Sequence, residues 1–171
     1  MALGLILAKN EYSNAEDIVV SSLARRRHTL SVAESVSGGN LAACLSSVPG
    51  ASSVFMGGII VYSALAKAVL AGLDMAYIVK HGTVSEAVTS NLAIAIRKRL
   101  HTDWSLAITG NAGPTKDKGS LVPVGVCFVA VAGPCGIECT AAQFYGNRIE
   151  IQKSSVLFAL DMLRCSFMTC I

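Results

Sequence analysis

Charge is scarce in this chain: Asp, Glu, Lys and Arg make up only 15% of its 171 residues, and aromatics only 6%. A nucleic-acid binder needs a broad basic face with aromatics set into it. Here the basic residues cluster only at Arg25-Arg26-Arg27-His28 and Arg97-Lys98-Arg99, so no nucleic-acid partner is expected. Both clusters fall where helices should end, and cations there complement the helix dipole while staying in water. The six cysteines contain no Cys-x-x-Cys pair and His28, His81 and His101 are scattered, so no metal site is expected. Also missing is any run of twenty predominantly apolar residues. Ser35 to Ala66 and Ser120 to Ile137 carry no charge, but serines and Pro49-Gly50 break the first, and Pro123, Gly125, Gly133 and Pro134 break the second. Buried strands and helices therefore explain them better than membrane spans. No basic residue precedes the short apolar run of MALGLIL, so a secretory signal is not expected and a cytoplasmic location is. In a reduced cytoplasm the cysteines read as small hydrophobes; Cys135 and Cys139 are spaced to bridge a turn, but nothing marks the chain for an oxidising compartment.

What is present points to a packed domain. Hydrophobic residues reach 53% and mean hydropathy is +0.56, which excludes disorder. The length fits one domain, residues 1–171, which should bury roughly 70% of its unfolded surface and so need neither disulfides nor metal. Ser13-x-x-Glu16 reads as a capping box opening a helix that ends at the arginines. Thr29 to Ala33 reads as a strand, Glu34 to Gly39 as a turn, and Asn40 to Leu45 as a helix. Gly57 to Ser63 reads as a strand running into a short helix, Ala64 to Ala71. Ser85 caps a long helix to Leu100, and Trp104 to Thr109 is a third strand. Gly110 to Leu121 is a loop long enough to suspect function. Val122 to Ala132 and Cys139 to Tyr145 are close enough to form a hairpin, and Asn147-x-x-Glu150 starts a last helix to about Arg164. Early strands alternating with helices, then a hairpin, predict an α/β fold with a mixed, mostly parallel sheet. In such sheets ligands gather beyond the carboxyl ends of the strands, where Glu34–Gly39 and Gly110–Pro114 would lie.

Four places carry candidate chemistry. Glu34-Ser35-Val36-Ser37-Gly38-Gly39 sets hydroxyls and close-approach glycines between a strand and a helix, which suits an anion or merely a tight turn. It is neither a P-loop nor the dinucleotide Gly-x-Gly-x-x-Gly pattern, so NTPase and dehydrogenase readings lose their support. Tyr62 and Lys67 follow a buried strand, and Lys67 is the first charge after the long uncharged stretch. Burial would lower its pKa and let it act as general base toward a serine hydroxyl, although most helical lysines are surface residues. Thr109-Gly110-Asn111-Ala112-Gly113-Pro114 could wall a pocket or simply turn. Arg148 opens a helix, where a cation needs an anionic partner: a phosphate, or a nearby carboxylate.

The combination is more specific than its parts. Ala33-Glu34-Ser35-Val36-Ser37-Gly38-Gly39, Gly58 to Ser63 with Lys67, His81-Gly82-Thr83-Val84-Ser85-Glu86, Thr109-Gly110 with Ala112-Gly113-Pro114, and Pro123-Val124-Gly125 stand in an order that resembles the CinA C-terminal domain family. The resemblance runs from about Glu16 to Leu163. It implies a three-layer α/β/α fold and an amidohydrolase that converts nicotinamide mononucleotide and water to nicotinate mononucleotide and ammonia. It implies Ser35 as nucleophile and Lys67 as base, with Tyr62 matching the tyrosine of the lysine motif. Glu34, Ser37, Gly38, Gly39, Thr109, Gly110 and Arg148 are the expected substrate-binding residues. It implies no cofactor, a small nucleotide as substrate, no membrane partner and a homo-oligomer. Departures from the family pattern are Val36 and Ser37 for cysteine and threonine, Ala64 and Leu65 for asparagine and glutamate, and Asn147 for aspartate. Loss of the polar pair before Lys67 leaves open a nucleotide-binding or regulatory domain without turnover.

Overall fold

Strand β1 (Leu30–Glu34) has all five residues buried, which only a position covered on both faces explains. In the computed structural model, which describes residues 15–115 and 122–170, β1 runs inside a five-stranded sheet of order β2-β1-β3-β4-β5. Here β2 is Phe55–Ile60, β3 Trp104–Gly110, β4 Val126–Gly133 and β5 Gly136–Gln143. β1 pairs in parallel with β2 and β3, whereas β4 is antiparallel to β3 and β5 antiparallel to β4. Only β4 therefore runs against the rest, and the mixed, mostly parallel sheet is as expected.

Alternation along the strands sorts side chains by size. Leu30, Val32, Leu106, Ile108, Val129 and Val131 point to one face, where α1 (Ala15–Arg26), α2 (Asn40–Ser46) and α6 (Arg148–Thr169) close the larger core. Ala33, Ala107, Ala130 and Ala132 point to the other, under Val88, Leu92 and Ile96 of α5 (Glu86–Leu100). Short side chains on that face let α5 lie close. Ser105 Oγ reaches the Ala93 carbonyl at 2.7 Å, and Ser31 and Thr102 hydroxyls meet at 2.7 Å, so buried polar groups there are paired. With α3 (Ala64–Ala71) and α4 (Met75–His81) beside α5, the architecture is a three-layer α/β/α sandwich. Each fully buried Leu or Val contributes roughly 1.5–3 kcal/mol.

Two expected caps are present. Ser85 Oγ accepts the Val88 amide at 3.2 Å, and Asn147 with Glu150 forms a reciprocal capping box. Ser13 and residues 116–121 of the expected loop lie outside the described residues. β4 starts at Val126, later than the expected Val122, because Pro123 offers no N–H and Gly125 turns the chain at φ 90°. Helix α4 was not foreseen; it is seven residues long, capped by Asp74, whose Oδ1 accepts the Ala76 amide at 2.7 Å.

The last helix continues past Arg164 to Thr169 because its final turns are still buried. Phe167 meets the edge of Trp104 at 5.1 Å between ring centres, and the Arg26 guanidinium lies over Phe167 at 5.1 Å. This extension brings Cys170 back to the β4–β5 turn, where it forms a disulfide with Cys135 across 5.8 Å between Cα atoms. The reading of all six cysteines as reduced hydrophobes is thus corrected for two of them, and Cys135 pairs with Cys170 rather than Cys139. Among the free thiols, burial pushes Cys127 up to about 12, and burial with nearby Glu16 pushes Cys44 up to about 11. No helix among the described residues is long and apolar enough to cross a membrane.

Candidate active site

Parallel pairing carries the carboxyl ends of β2, β1 and β3 to one end of the sheet. At the end of β1, the Ser35 amide donates to the Ile108 carbonyl at 2.9 Å, which fixes the residue against β3. The chain then turns, with the Gly38 amide donating to the Ser35 carbonyl at 3.2 Å. Gly38 and Gly39 have φ of 63° and 100°, a region costly for residues with a Cβ, and a Cβ on Gly39 would also come within 3.1 Å of Ile60.

Glu34 is fully buried and reaches under this turn. Its carboxylate accepts the amides of Gly39 at 3.0 Å, Leu41 at 3.0 Å and Ala42 at 2.8 Å. It therefore fills the anion position at the α2 N-terminus with the chain's own charge. Two amides of the turn, those of Val36 and Ser37, donate to no acceptor among the described residues. The Ser37 hydroxyl is also buried without a hydrogen-bond partner.

Lys67 comes from the first turn of α3, which Ser63 caps by accepting the Ala66 amide at 3.0 Å. Its side chain runs inward, so that the residue is only 1% exposed. Nζ donates to Ser35 Oγ at 3.1 Å and to the Val61 carbonyl at 2.8 Å. Ser35, 6% exposed, is thus joined to an amine 32 residues away in sequence.

The rim is built from β2's exit and α6. Arg148 donates to the Gly113 carbonyl at 2.7 Å and to the Tyr62 hydroxyl at 2.6 Å. Of the two anionic partners considered for it, phosphate or carboxylate, no carboxylate among the described residues is bonded to it; neutral oxygens take two of its five N–H donors. Asn111 shapes the facing loop, its Oδ1 accepting the Gly113 amide at 2.9 Å. Gly110 allows β3 and β4 to meet closely, since a Cβ there would stand 2.5 Å from Cys127 Sγ.

Together these residues enclose a cleft of about 70 Å³ lined by Ser35, Val36, Tyr62, Lys67, Gly110 and Arg148, along with Thr83, Val84, Asn111 and Ala112. Glu34, Ser37, Gly38, Gly39 and Thr109 do not line it. Thr109 is buried, and its hydroxyl bonds the Thr89 hydroxyl at 2.7 Å. Thr83 and Val84 were not singled out as site residues; only their place in a motif before Ser85 could have flagged them. A larger hollow of about 620 Å³ lies by α3, α4 and α5 and shares no lining residue with the Ser35 cleft. No three His, Cys, Asp or Glu side chains among the described residues group so as to hold a metal.

A family model described as the CinA C-terminal domain matches residues 12–167. The chain belongs to the CinA C-terminal domain family. A CinA-like protein of Prochlorococcus marinus is 45% identical over 161 residues, and one of Frankia casuarinae is 37% identical over 163. These alignments cover 92% and 95% of this chain but 37% of either relative, so the chain spans little more than a third of their length. Among solved structures, competence damage-inducible protein A from Klebsiella pneumoniae superposes with a TM-score of 0.88 at 26% identity, covering 93% of this chain and 98% of that one. A CinA-superfamily protein from Escherichia coli gives 0.87 at 25% identity, with 96% and 98% covered. The CinA domain fold thus extends to solved chains of nearly the same size.

Proposed function

We propose that this CinA domain is an amidohydrolase that deamidates nicotinamide mononucleotide through Ser35 and Lys67. The observation that carries the reading is the 3.1 Å approach of Lys67 Nζ to Ser35 Oγ in a cleft where both residues are buried. A Ser-Lys pair is an established alternative to Ser-His for activating a hydroxyl. Lys67, as the neutral amine, takes the Ser35 proton as Oγ attacks the carboxamide carbon. The proton then passes to the departing nitrogen, and ammonia leaves an acyl ester on Ser35. Water, deprotonated by Lys67, hydrolyses that ester and restores the hydroxyl.

The oxyanion needs preorganised donors, and the unengaged amide of Val36, which lines the cleft beside Ser35, is the available one. The remaining N–H groups of Arg148 and the Tyr62 proton suit the phosphate, because Tyr62 accepts from Arg148 and keeps its own hydrogen to donate. Ligand pockets usually run about 300–1,000 Å³. A cleft of about 70 Å³ suits the reacting carboxamide, with ribose and phosphate lying over the exposed Tyr62–Arg148 rim.

The test is ammonia release from nicotinamide mononucleotide by the wild type and by Ser35→Ala. The wild type should release ammonia and nicotinate mononucleotide in equal amounts, and Ser35→Ala should release neither. A wild type that binds the nucleotide without ammonia above buffer would reduce the domain to nucleotide binding.

A further inference from the structure

Gln152 lies one helical turn beyond Arg148 on the same face of α6, and its Nε2 donates to the Val36 carbonyl at 2.8 Å across 116 residues of sequence. From this bond we infer that Gln152 is a positioning residue for the acyl-transfer chemistry proposed above, on which the inference rests. It holds the central peptide of the nucleophile turn in one orientation.

The Gly38 amide bonds the Ser35 carbonyl at 3.2 Å, so Ser35 to Gly38 is a β-turn whose central peptide is Val36–Ser37. The two commonest turn types differ mainly by rotating that peptide about half a revolution, which exchanges the sides on which its C=O and N–H emerge. In a trans peptide the two groups point in opposite directions. Pinning the Val36 carbonyl toward α6 therefore fixes the rotation of Val36, the turn residue that borders the cleft and offers its amide beside Ser35. Val36 and Ser37 are 4% and 0% exposed, so water does not take over if the carbonyl loses its partner. Gln152 also stands beside Gly38, whose missing Cβ would lie 3.8 Å from Nε2. One face of α6 thus serves two parts of the site: Arg148 the rim and Gln152 the turn that carries Ser35.

The experiment compares Gln152→Met, which keeps the length but has no donor, Gln152→Glu, which sets an acceptor against the carbonyl, and Gln152→Arg, which restores a donor. Steady-state deamidation of nicotinamide mononucleotide gives kcat and KM. Labelling of Ser35 by a fluorophosphonate, followed by intact mass, reads nucleophile geometry without that substrate: an Oγ–P bond forms, the P–F bond breaks, fluoride leaves and Lys67 takes the proton. Losing one oxyanion donor costs about 10²–10³ in kcat, and a freely flipping peptide should forfeit part of that. Gln152→Met should lose roughly 10–100-fold in kcat and in labelling rate, with KM within about threefold. Gln152→Glu should fall further and Gln152→Arg recover most of the loss, with thermal midpoints showing each variant folded at the assay temperature. If the wild type reacts in either assay and Gln152→Met matches it within twofold, the inference fails alone. A wild type that labels but does not deamidate removes the substrate reading and leaves the labelling series to decide. A wild type that does neither removes both.

Discussion

Lys67→Met removes the amine while keeping an unbranched side chain of similar length at a position only 1% exposed. Two stability effects oppose each other. The Val61 carbonyl, which now accepts from Nζ at 2.8 Å, loses that donor, and an unsatisfied buried acceptor costs about 1–3 kcal/mol. Against this, the cost of burying a polar amine, about 1–3 kcal/mol, disappears. The difference should fall within about 2 kcal/mol of zero, or a midpoint shift within roughly 8 °C for a domain this size. Activity has no such compensation. Deleting a general acid–base group costs about 10²–10⁴-fold, so kcat for ammonia release should drop by that factor in a folded protein. Glutamate-dehydrogenase-coupled ammonia detection at saturating nicotinamide mononucleotide reads the loss, with Ser35→Ala and the double variant alongside. Groups that act as a unit are not additive, so the double variant should be no slower than the slower single. Retention of more than a tenth of wild-type kcat by Lys67→Met would refute the base assignment, and losses that multiply in the double variant would show that the two residues act separately.

Other outcomes follow from the packing. Cys135→Ser opens a loop closed over 35 residues, which chain-entropy reasoning values at roughly 3–4 kcal/mol, so its thermal midpoint should fall by about 6–16 °C and match that of the reduced wild type. Equal midpoints for oxidised, reduced and mutant protein would count against the Cys135–Cys170 bond. For Asp103, burial alone would raise the carboxyl, but hydrogen bonds from the Thr29 amide and hydroxyl, helped by His28 and Arg97, hold it below its ordinary value. A lowered folded pKa stabilises above the unfolded value near 4 and is lost as pH falls through the lower folded value. Urea midpoints of Asp103→Asn should therefore fall less between pH 7 and pH 3 than those of the wild type; parallel curves would contradict this. Finally, Leu65 and Val69 of α3 and Val79 of α4 are exposed apolar side chains, through which copies of the chain are expected to associate. Sedimentation should show a lighter species for Val69→Glu with Val79→Glu, and an unchanged mass would exclude that contact.

Residues whose partners are close in sequence were the readable ones. Ser85 and Asn147 announced their helices because a cap acts within three residues, and the turn after β1 was visible because adjacent glycines are needed where φ is positive. The candidate pair Ser35 and Lys67 was readable from a motif resemblance and from the uncharged stretch between them. Glu34 was less so: its neighbourhood suggested a ligand contact, whereas the amides of Gly39, Leu41 and Ala42 at the start of α2 occupy its carboxylate. Gln152 gave no signal, since nothing around it in the helix indicates a carbonyl 116 residues upstream.

By itself the amino-acid sequence determined the mixed α/β architecture, the caps and the location of the glycine turn, because periodicity, capping and backbone conformation depend on near neighbours. Only the tertiary structure decided which groups meet: Lys67 with Ser35, Arg148 with Tyr62 and Gly113, Gln152 with Val36, and Cys170 with Cys135. Such pairings depend on strand order and on the length of α6, which follow from burying two faces of one sheet at once. The scarcity of charge has its physical meaning there, since a sheet covered on both sides has little room for ions, and Lys67 is a fully buried amine that reaches the Ser35 turn.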